Sequence, residues 1–218
     1  MNIALIVFAG IGERMNSSIP KQFIKVNGKE LVSYTINAFI NNPNIDEIIL
    51  VTHKDYVDHV KSFNYQKVSL VVAGGKSRQE SVRKGLNAKE FKDEDVILIH
   101  DGDRPLVTDT LINESISLMD RYDAVCPFIY HNNALTEISN LGRTKSVNGK
   151  ESDIQTPQVF RYGLIKNAHN YKKDQGFADD IGLIEDECKV CYLEGDKYNF
   201  KITTEKDLKY FEKIVCKK

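Results

Sequence analysis

Between Ala9 and Phe23 the chain gathers residue types that can hold a phosphate: Gly10 and Gly12, then Arg14, then Lys21 within Pro20-Lys21-Gln22-Phe23. Glycines let main-chain N–H groups come close to phosphate oxygens, and the guanidinium and ammonium groups bring positive charge to the same place. The loop follows the apolar run Ile3–Phe8, so it reads as a strand emptying into a polyphosphate-holding turn. It is neither of two better known glycine loops. A dinucleotide fingerprint needs a third glycine at the helix start, where Met15 follows Arg14 here, and a Walker loop needs Lys-Ser or Lys-Thr directly after its last glycine. Taken alone, the loop also fits a tight strand-to-helix turn with no ligand.

Three more polar clusters follow apolar runs. Gly74-Gly75-Lys76-Ser77-Arg78-Gln79-Glu80-Ser81 comes after Val68–Ala73, and His100-Asp101-Gly102-Asp103-Arg104-Pro105 closes the run from Val96. Near the C-terminus, Glu194-Gly195-Asp196 leads to Asn199-Phe200-Lys201-Ile202-Thr203-Thr204. Each has a plain reading: Gly74-Gly75 a turn, Ser77 the N-cap of a helix through Val82 and Leu86, Asp101 and Arg104 a surface ion pair, Lys201 an exposed strand lysine. In open α/β sheets, however, ligands collect at the carboxyl ends of the strands, and four polar clusters at four such ends point to one nucleotide site.

The elements that must position these clusters are short strands alternating with helices. Ile3–Phe8, Ile45–Thr52, Val68–Ala73, Val96–His100 and Ala124–Ile129 have the continuous apolar texture of strands buried on both faces. Glu30–Ile40 has apolar positions near a period of 3.6, and Asn27-Gly28 supplies a turn before it. A helix near Tyr162–Tyr171, a strand through Val190–Leu193 and a last helix from about Glu205 to Ile214 complete the pattern. The alternation predicts an α/β fold with a mostly parallel, Rossmann-like sheet in a single domain over 1–218. From His131 to about Gln158 the texture turns to Asn, Ser, Thr, Gly and Lys without helical period, which predicts an excursion serving as an arm, a lid or an oligomer contact.

Composition sets limits on partners. In 218 residues, 30 Lys and Arg stand against 31 Asp and Glu, so no overall positive field favours nucleic acid or an anionic membrane. No apolar run reaches the roughly 20 residues of a membrane span, and the N-terminal run is too short and uncharged for a signal peptide, so the cytoplasm is the expected location. Cys188 and Cys191 have metal-ligand spacing but no second Cys or His pair at zinc-finger distance, which favours reduced thiols for these, Cys126 and Cys216.

Taken together, the motifs resemble the cytidylyltransferases that act on polyol phosphates. The resemblance rests on Ala9-Gly10-x-Gly12-x-Arg14-Met15, Pro20-Lys21-Gln22-Phe23, Gly74-Gly75-x-x-Arg78-x-x-Ser81-Val82, His100-Asp101-x-x-Arg104-Pro105, Thr156-Pro157-Gln158-x-Phe160 and Asn199-x-Lys201-Ile202-Thr203, in order along the chain. Members of that family use 2-C-methylerythritol 4-phosphate or ribitol 5-phosphate. The resemblance implies attack of a polyol phosphate on the α-phosphorus of CTP, with Arg14, Lys21 and Lys201 stabilising the charge that builds there. It implies CTP contacts from Ala9, Gly10, Gly12, Gly74, Gly75, Ser81 and Asp101, and acceptor contacts from Asp103, Arg104, Thr136 and Asp179. A divalent cation, Mg²⁺, is expected, held mostly by phosphate oxygens and water, with Asp101 its candidate protein ligand. The excursion at about 131–158 would be a projecting β-arm that interlocks a homodimer.

Departures from the family pattern fall on the acceptor half. An Asp-Thr pair becomes Asn133-Ala134, an Arg ahead of Thr-Pro-Gln becomes Asn148, Ala178 precedes Asp179-Asp180 in place of Thr, and Asp103 stands where small apolar residues are usual. Asp103 either meets extra acceptor hydroxyls or pairs with Arg104. Charge-assisted hydrogen bonds of about 1.5–3 kcal/mol each would be lost, which predicts another polyol or sugar phosphate as acceptor, feeding a cell-surface polymer such as capsule or teichoic acid. The isoprenoid-pathway enzyme is the alternative. An inactive CTP-binding protein and a UTP-dependent sugar nucleotidyltransferase are further readings, and the charges of Arg14, Lys21 and Lys201 around one phosphorus speak against the inactive one.

Overall fold

The computed structural model describes residues 1–12, 19–130, 136–138, 144–146, 152–173, 177 and 179–216, with 136–138 and 144–146 described by their backbone. The chain begins with β1 (Asn2–Phe8), the short pair β2 (Lys25–Val26) and β3 (Lys29–Glu30), and α1 (Leu31–Asn41). It continues through β4 (Glu47–Thr52), α2 (Val57–Lys61), β5 (Val68–Ala73), α3 (Arg78–Leu86), β6 (Val96–Asp101), α4 (Asp109–Leu118) and β7 (Ala124–Tyr130). After β8 (Thr136–Ile138) and β9 (Thr144–Ser146) come β10 (Ser152–Ile154), β11 (Gln158–Arg161), α5 (Tyr162–Tyr171), β12 (Val190–Glu194) and α6 (Glu205–Val215).

The main sheet has eight strands in the order β10-β7-β11-β6-β1-β4-β5, with β12 on the other side of β7. β1 runs parallel to β4 and β6, β4 to β5, and β12 to β7, whereas β11 is antiparallel to β6 and β7. The sheet is therefore mostly parallel, as the alternation implies. Its sides are set by the two-residue period of a strand. In β1, Ala4, Ile6 and Phe8 face one layer with Val32, Ile36 and Phe39 of α1 and Leu111 and Ile112 of α4. Ile3, Leu5 and Val7 face the other, with Val82 and Leu86 of α3 and Ile165 of α5. A smaller cluster of Val26, Leu31, Ile202 and Phe211 seats α6 beside the β2–β3 pair.

The irregular stretch divides. β8 and β9 pair with each other in an antiparallel hairpin outside the main sheet, while β10 pairs with β7, and Gln158 already belongs to β11. The excursion is thus shorter at its C-terminal end than polarity suggests. Ser152–Ile154 pairs its backbone with β7 as a strand at the sheet edge even though Ser152 and Asp153 are exposed and polar.

Candidate active site

Parallel pairing brings the ends of β1, β5 and β6 together on one rim of the sheet, where Val7 stands opposite Asp101 and Phe8 opposite Thr52. A cleft of about 490 Å³ opens there, between the loop after β1, the start of α3, the turn after β6 and the segment carrying Lys201. The loop after β1 is fixed from below by Gln22, which is buried and donates its amide to the carbonyls of Phe8 and Gly10. Gly12 takes φ +71°, and a Cβ there would press within 3.3 Å of the Lys21 side chain. Glycine is needed at that position both for the backbone and for the lysine packed against it.

The second wall is the turn into α3. Ser77 caps the helix by accepting the Glu80 N–H at 3.0 Å, and Ser81 accepts the Gly75 N–H at 2.9 Å while donating to the Ser77 carbonyl at 2.8 Å. The wall lies so close to the first loop that a Cβ on Gly74 would stand 2.3 Å from Cβ of Ala9. Gly74 is a packing contact between the two loops, and Gly75 is the residue that lines the cleft.

Asp101, only 6% exposed, is the hub of the charges. Its Oδ1 is 3.0 Å from Arg78 Nε, and its Oδ2 is 3.0 Å from Lys201 Nζ and 3.4 Å from Arg104 Nε. Burial alone would raise this carboxyl, but Arg78, Lys201 and Arg104 outweigh it and hold it well below the usual carboxylate range. Arg78 continues the chain of charge to Asp180 at 2.8 Å, and Asp180 meets His169 Nε2 at 3.0 Å. Burial opposes the Arg78 charge, yet Asp180 and Asp101 together raise its pKa. Beneath the hub, the Asp101 N–H donates to Thr156 Oγ1, whose hydroxyl then donates to His100 Nδ1, leaving His100 Nε2–H for the Arg104 carbonyl. Burial pushes the His100 imidazole down to about 4, so it is neutral.

Lys21 and Lys201 enter from facing loops. Lys21 Nζ donates to the Ile202 carbonyl at 2.7 Å and pairs with Asp103 Oδ2 at 2.5 Å. Lys201 is carried by Ile202, fully buried in the α6 cluster, whose N–H donates to the Asp103 carbonyl at 2.8 Å. The next residues enter α6 through a capping box between Thr204 and Asp207.

Of the residues singled out in the sequence, Ala9, Gly10, Gly12, Lys21, Gly75, Ser81, Asp101, Asp103 and Lys201 line this one cleft. Arg104 is turned away from it: Nη1 donates to the Asn199 carbonyl at 2.9 Å and Nη2 to the Ile154 carbonyl at 3.3 Å. Asp179 accepts the Gly182 N–H at 3.0 Å, capping a short turn. Thr136 lies in β8, and Arg14, Asn133, Ala134, Asn148 and Ala178 fall outside the described residues or side chains. Sequence reasoning quoted Arg78, Gln22, Gln158 and Asn199 without giving them roles. Gln158 accepts the Asp180 and Ile181 N–H groups at 3.0 Å, and Asn199 donates to the Thr156 carbonyl at 2.7 Å. Polar side chains inside motif runs were the available signal.

A family model described as IspD, 2-C-methyl-D-erythritol 4-phosphate cytidylyltransferase, matches residues 2–217. The chain belongs to this IspD family. A 2-C-methyl-D-erythritol 4-phosphate cytidylyltransferase of Clostridium novyi is 39% identical over 224 residues, covering 98% of this chain and 96% of the relative. One from Clostridium perfringens is 38% identical over 224 residues, covering 98% of each. The crystal structure of the 4-diphosphocytidyl-2C-methyl-D-erythritol synthase of Anaerococcus prevotii superposes with a TM-score of 0.83 at 29% identity, covering 100% of this chain and 96% of that one. As an IspD member the chain is a nucleotidyltransferase, a CTP-dependent cytidylyltransferase. The expected link to a cell-surface polymer finds no support among these relatives. The five altered residues, Asp103, Asn133, Ala134, Asn148 and Ala178, stand within a likeness that runs the length of the chain.

Proposed function

We propose that this cytidylyltransferase uses 2-C-methyl-D-erythritol 4-phosphate as its acceptor, a step of isoprenoid synthesis. The acceptor's phosphate oxygen attacks the α-phosphorus of CTP, a P–O bond forms to the acceptor, and the bond to the β-phosphate breaks to release pyrophosphate. The observation that carries the reading is the convergence of Lys21 and Lys201 on one glycine-walled cleft, in a chain that matches the family from residue 2 to 217. An ionised phosphate nucleophile needs no general base, so the protein's work is to position and to offset charge building on the phosphoryl oxygens.

In this reading, main-chain groups of Ala9, Gly10 and Gly12 with Lys21 hold the triphosphate, and Arg14 adds a second cation. Gly75 and Ser81 border the base and ribose. Lys201 sits nearest the incoming phosphate, with Asp101 fixing it and Arg78. The acceptor roles of Arg104, Thr136 and Asp179 belong to this proposal as well; Arg104 must leave its backbone partners to reach a ligand. A divalent cation enters with CTP as part of the substrate. Among the described residues no cluster of three or more ligating side chains is built for a resident metal, and both Asp101 oxygens already face cations. The β8–β9 hairpin is the arm of a proposed homodimer.

Pyrophosphate release across the four ribonucleoside triphosphates and a panel of acceptors tests the reading. Turnover with CTP and methylerythritol phosphate is expected; turnover confined to ribitol 5-phosphate or another sugar phosphate would overturn the acceptor assignment.

A further inference from the structure

Between Lys21 and Lys201 stands a carboxylate that belongs to the chain itself. Asp103 Oδ2 lies 2.5 Å from Lys21 Nζ and Oδ1 3.8 Å from Lys201 Nζ, in a spot where the Asp103 and Lys21 side chains are only 13% and 11% exposed. A carboxylate and a phosphate ask the same of an ammonium group, namely anionic oxygens within hydrogen-bond reach. Of the three Lys21 donors, one is committed to the Ile202 carbonyl and one to Asp103. A phosphate drawn to Lys21 therefore meets a site already holding an anion. Asp101 is differently placed, because its oxygens also face two guanidinium groups that lead away from Lys21.

The Asp103 backbone is anchored apart from its side chain. Its carbonyl accepts the Ile202 N–H at 2.8 Å, and the turn before it is held by Thr35 donating to the Gly102 carbonyl at 2.8 Å. Rotation about the side-chain torsions can free the carboxylate from Lys21 while the turn keeps its shape.

We infer that Asp103 is an internal counter-ion seated in a phosphate subsite, which an incoming polyphosphate must displace. The inference rests on the assignment of Lys21 and Lys201 to the phosphates of CTP. While the cleft is empty, the carboxylate lowers the repulsion between the two ammonium groups. When a ligand arrives, it makes selection depend on charge. A triphosphate replaces one carboxylate with several anionic oxygens, whereas a monophosphate exchanges one anion for another with little gain. Asp103 is thus a specificity-determining residue that disfavours CMP and orthophosphate, and it competes with pyrophosphate for Lys21 after transfer.

Calorimetric titration of the full-length protein with pyrophosphate and with CMP tests this. Asp103→Asn keeps the shape and removes the charge, and is expected to bind pyrophosphate about tenfold tighter, equivalent to about 1.4 kcal/mol. CMP should gain at least as much, narrowing its gap to CTP. Asp103→Ala must move in the same direction. Lys21→Met should weaken pyrophosphate binding and, combined with Asp103→Asn, cancel most of the gain. Unchanged or weaker binding in both Asp103 variants, with Lys21→Met still harmful, overturns the counter-ion while leaving the phosphate assignment standing. If Lys21→Met has no effect on pyrophosphate, the assignment and the inference fall together.

Discussion

Lys21 and Lys201 illustrate how a side chain's role follows from what holds it. Lys21 is tied to the Ile202 carbonyl, and the ammonium of Lys201, the chain neighbour of Ile202, is held by Asp101 at 3.0 Å. Replacing either with alanine is expected to lower kcat/KM by about 10²–10³, the scale of one lost charge-stabilising donor, with the far-UV circular dichroism unchanged. Full activity in Lys21→Ala would remove it from the mechanism. Asp180 belongs to a second kind of residue, one that acts through another. It lies between Arg78 and His169, completely buried, with its carboxyl held below the usual range because Arg78 and His169 outweigh the effect of burial. Asp180→Asn leaves Arg78 without one of its two carboxylates; urea unfolding should show a loss of about 3 kcal/mol, and an unchanged midpoint would contradict the network. Lys21 was legible because it follows the Gly10 and Gly12 loop, whereas Lys201 alone reads as an exposed strand lysine and was singled out only through the family resemblance. Asp180 was quoted only within a pattern, since the Arg78 partner lies about a hundred residues away and no local spacing reveals it.

At the scale of elements, the glycine loop and the start of α3 behave as one object. Gly74 is where they touch, and Gly74→Ala pushes a methyl to 2.3 Å from Cβ of Ala9 and 2.8 Å from Oγ of Ser81. Overpacking of about 1–3 kcal/mol and a raised KM for CTP are expected, read by thermal melting and steady-state kinetics. A variant with the parent's KM would show that the loops can part freely. The end of β6 carries a pH dependence of its own. His100 is neutral and buried, with a folded value near 4 against an ordinary 6.5. Its lowered pKa means that stability is complete above about pH 6.5 and is lost as pH falls towards 4, by up to about 3 kcal/mol. Urea midpoints between pH 7 and 4 should show this slope, and His100→Asn should flatten it. The carboxylates Asp101 and Asp180, lowered rather than raised, lose their contribution only at more acid pH. The strand and helix pattern was readable because apolar runs and 3.6-residue periods report burial directly, and the predicted Tyr162–Tyr171 helix has those limits. β10 was not, because Ser152–Ile154 is held by pairing with β7 and only Ile154 of its three residues packs against the core.

For the molecule as a whole, near-balanced charge and a local cluster of cations fit a substrate that brings its own negative charge. Arg104 shows what the linear view leaves out: adjacent to Asp103 in sequence, it points into the protein, and only the chain's return through Ile154 and Asn199 explains why. The β8–β9 hairpin lies outside the main sheet, and a lone two-stranded hairpin is marginal, so with the proposed homodimer supplying its partner sedimentation is expected to give twice the 24.8 kDa chain mass at micromolar concentration. A single 24.8 kDa species would contradict the dimer. Phosphorus NMR of one reaction mixture identifies the acceptor. With CTP, Mg²⁺ and 2-C-methyl-D-erythritol 4-phosphate, the phosphomonoester signal should be replaced by the paired resonances of a diphosphate diester, with free pyrophosphate in equal amount. Persistence of the phosphomonoester, in a sample that still converts ribitol 5-phosphate or another polyol phosphate, would contradict the account.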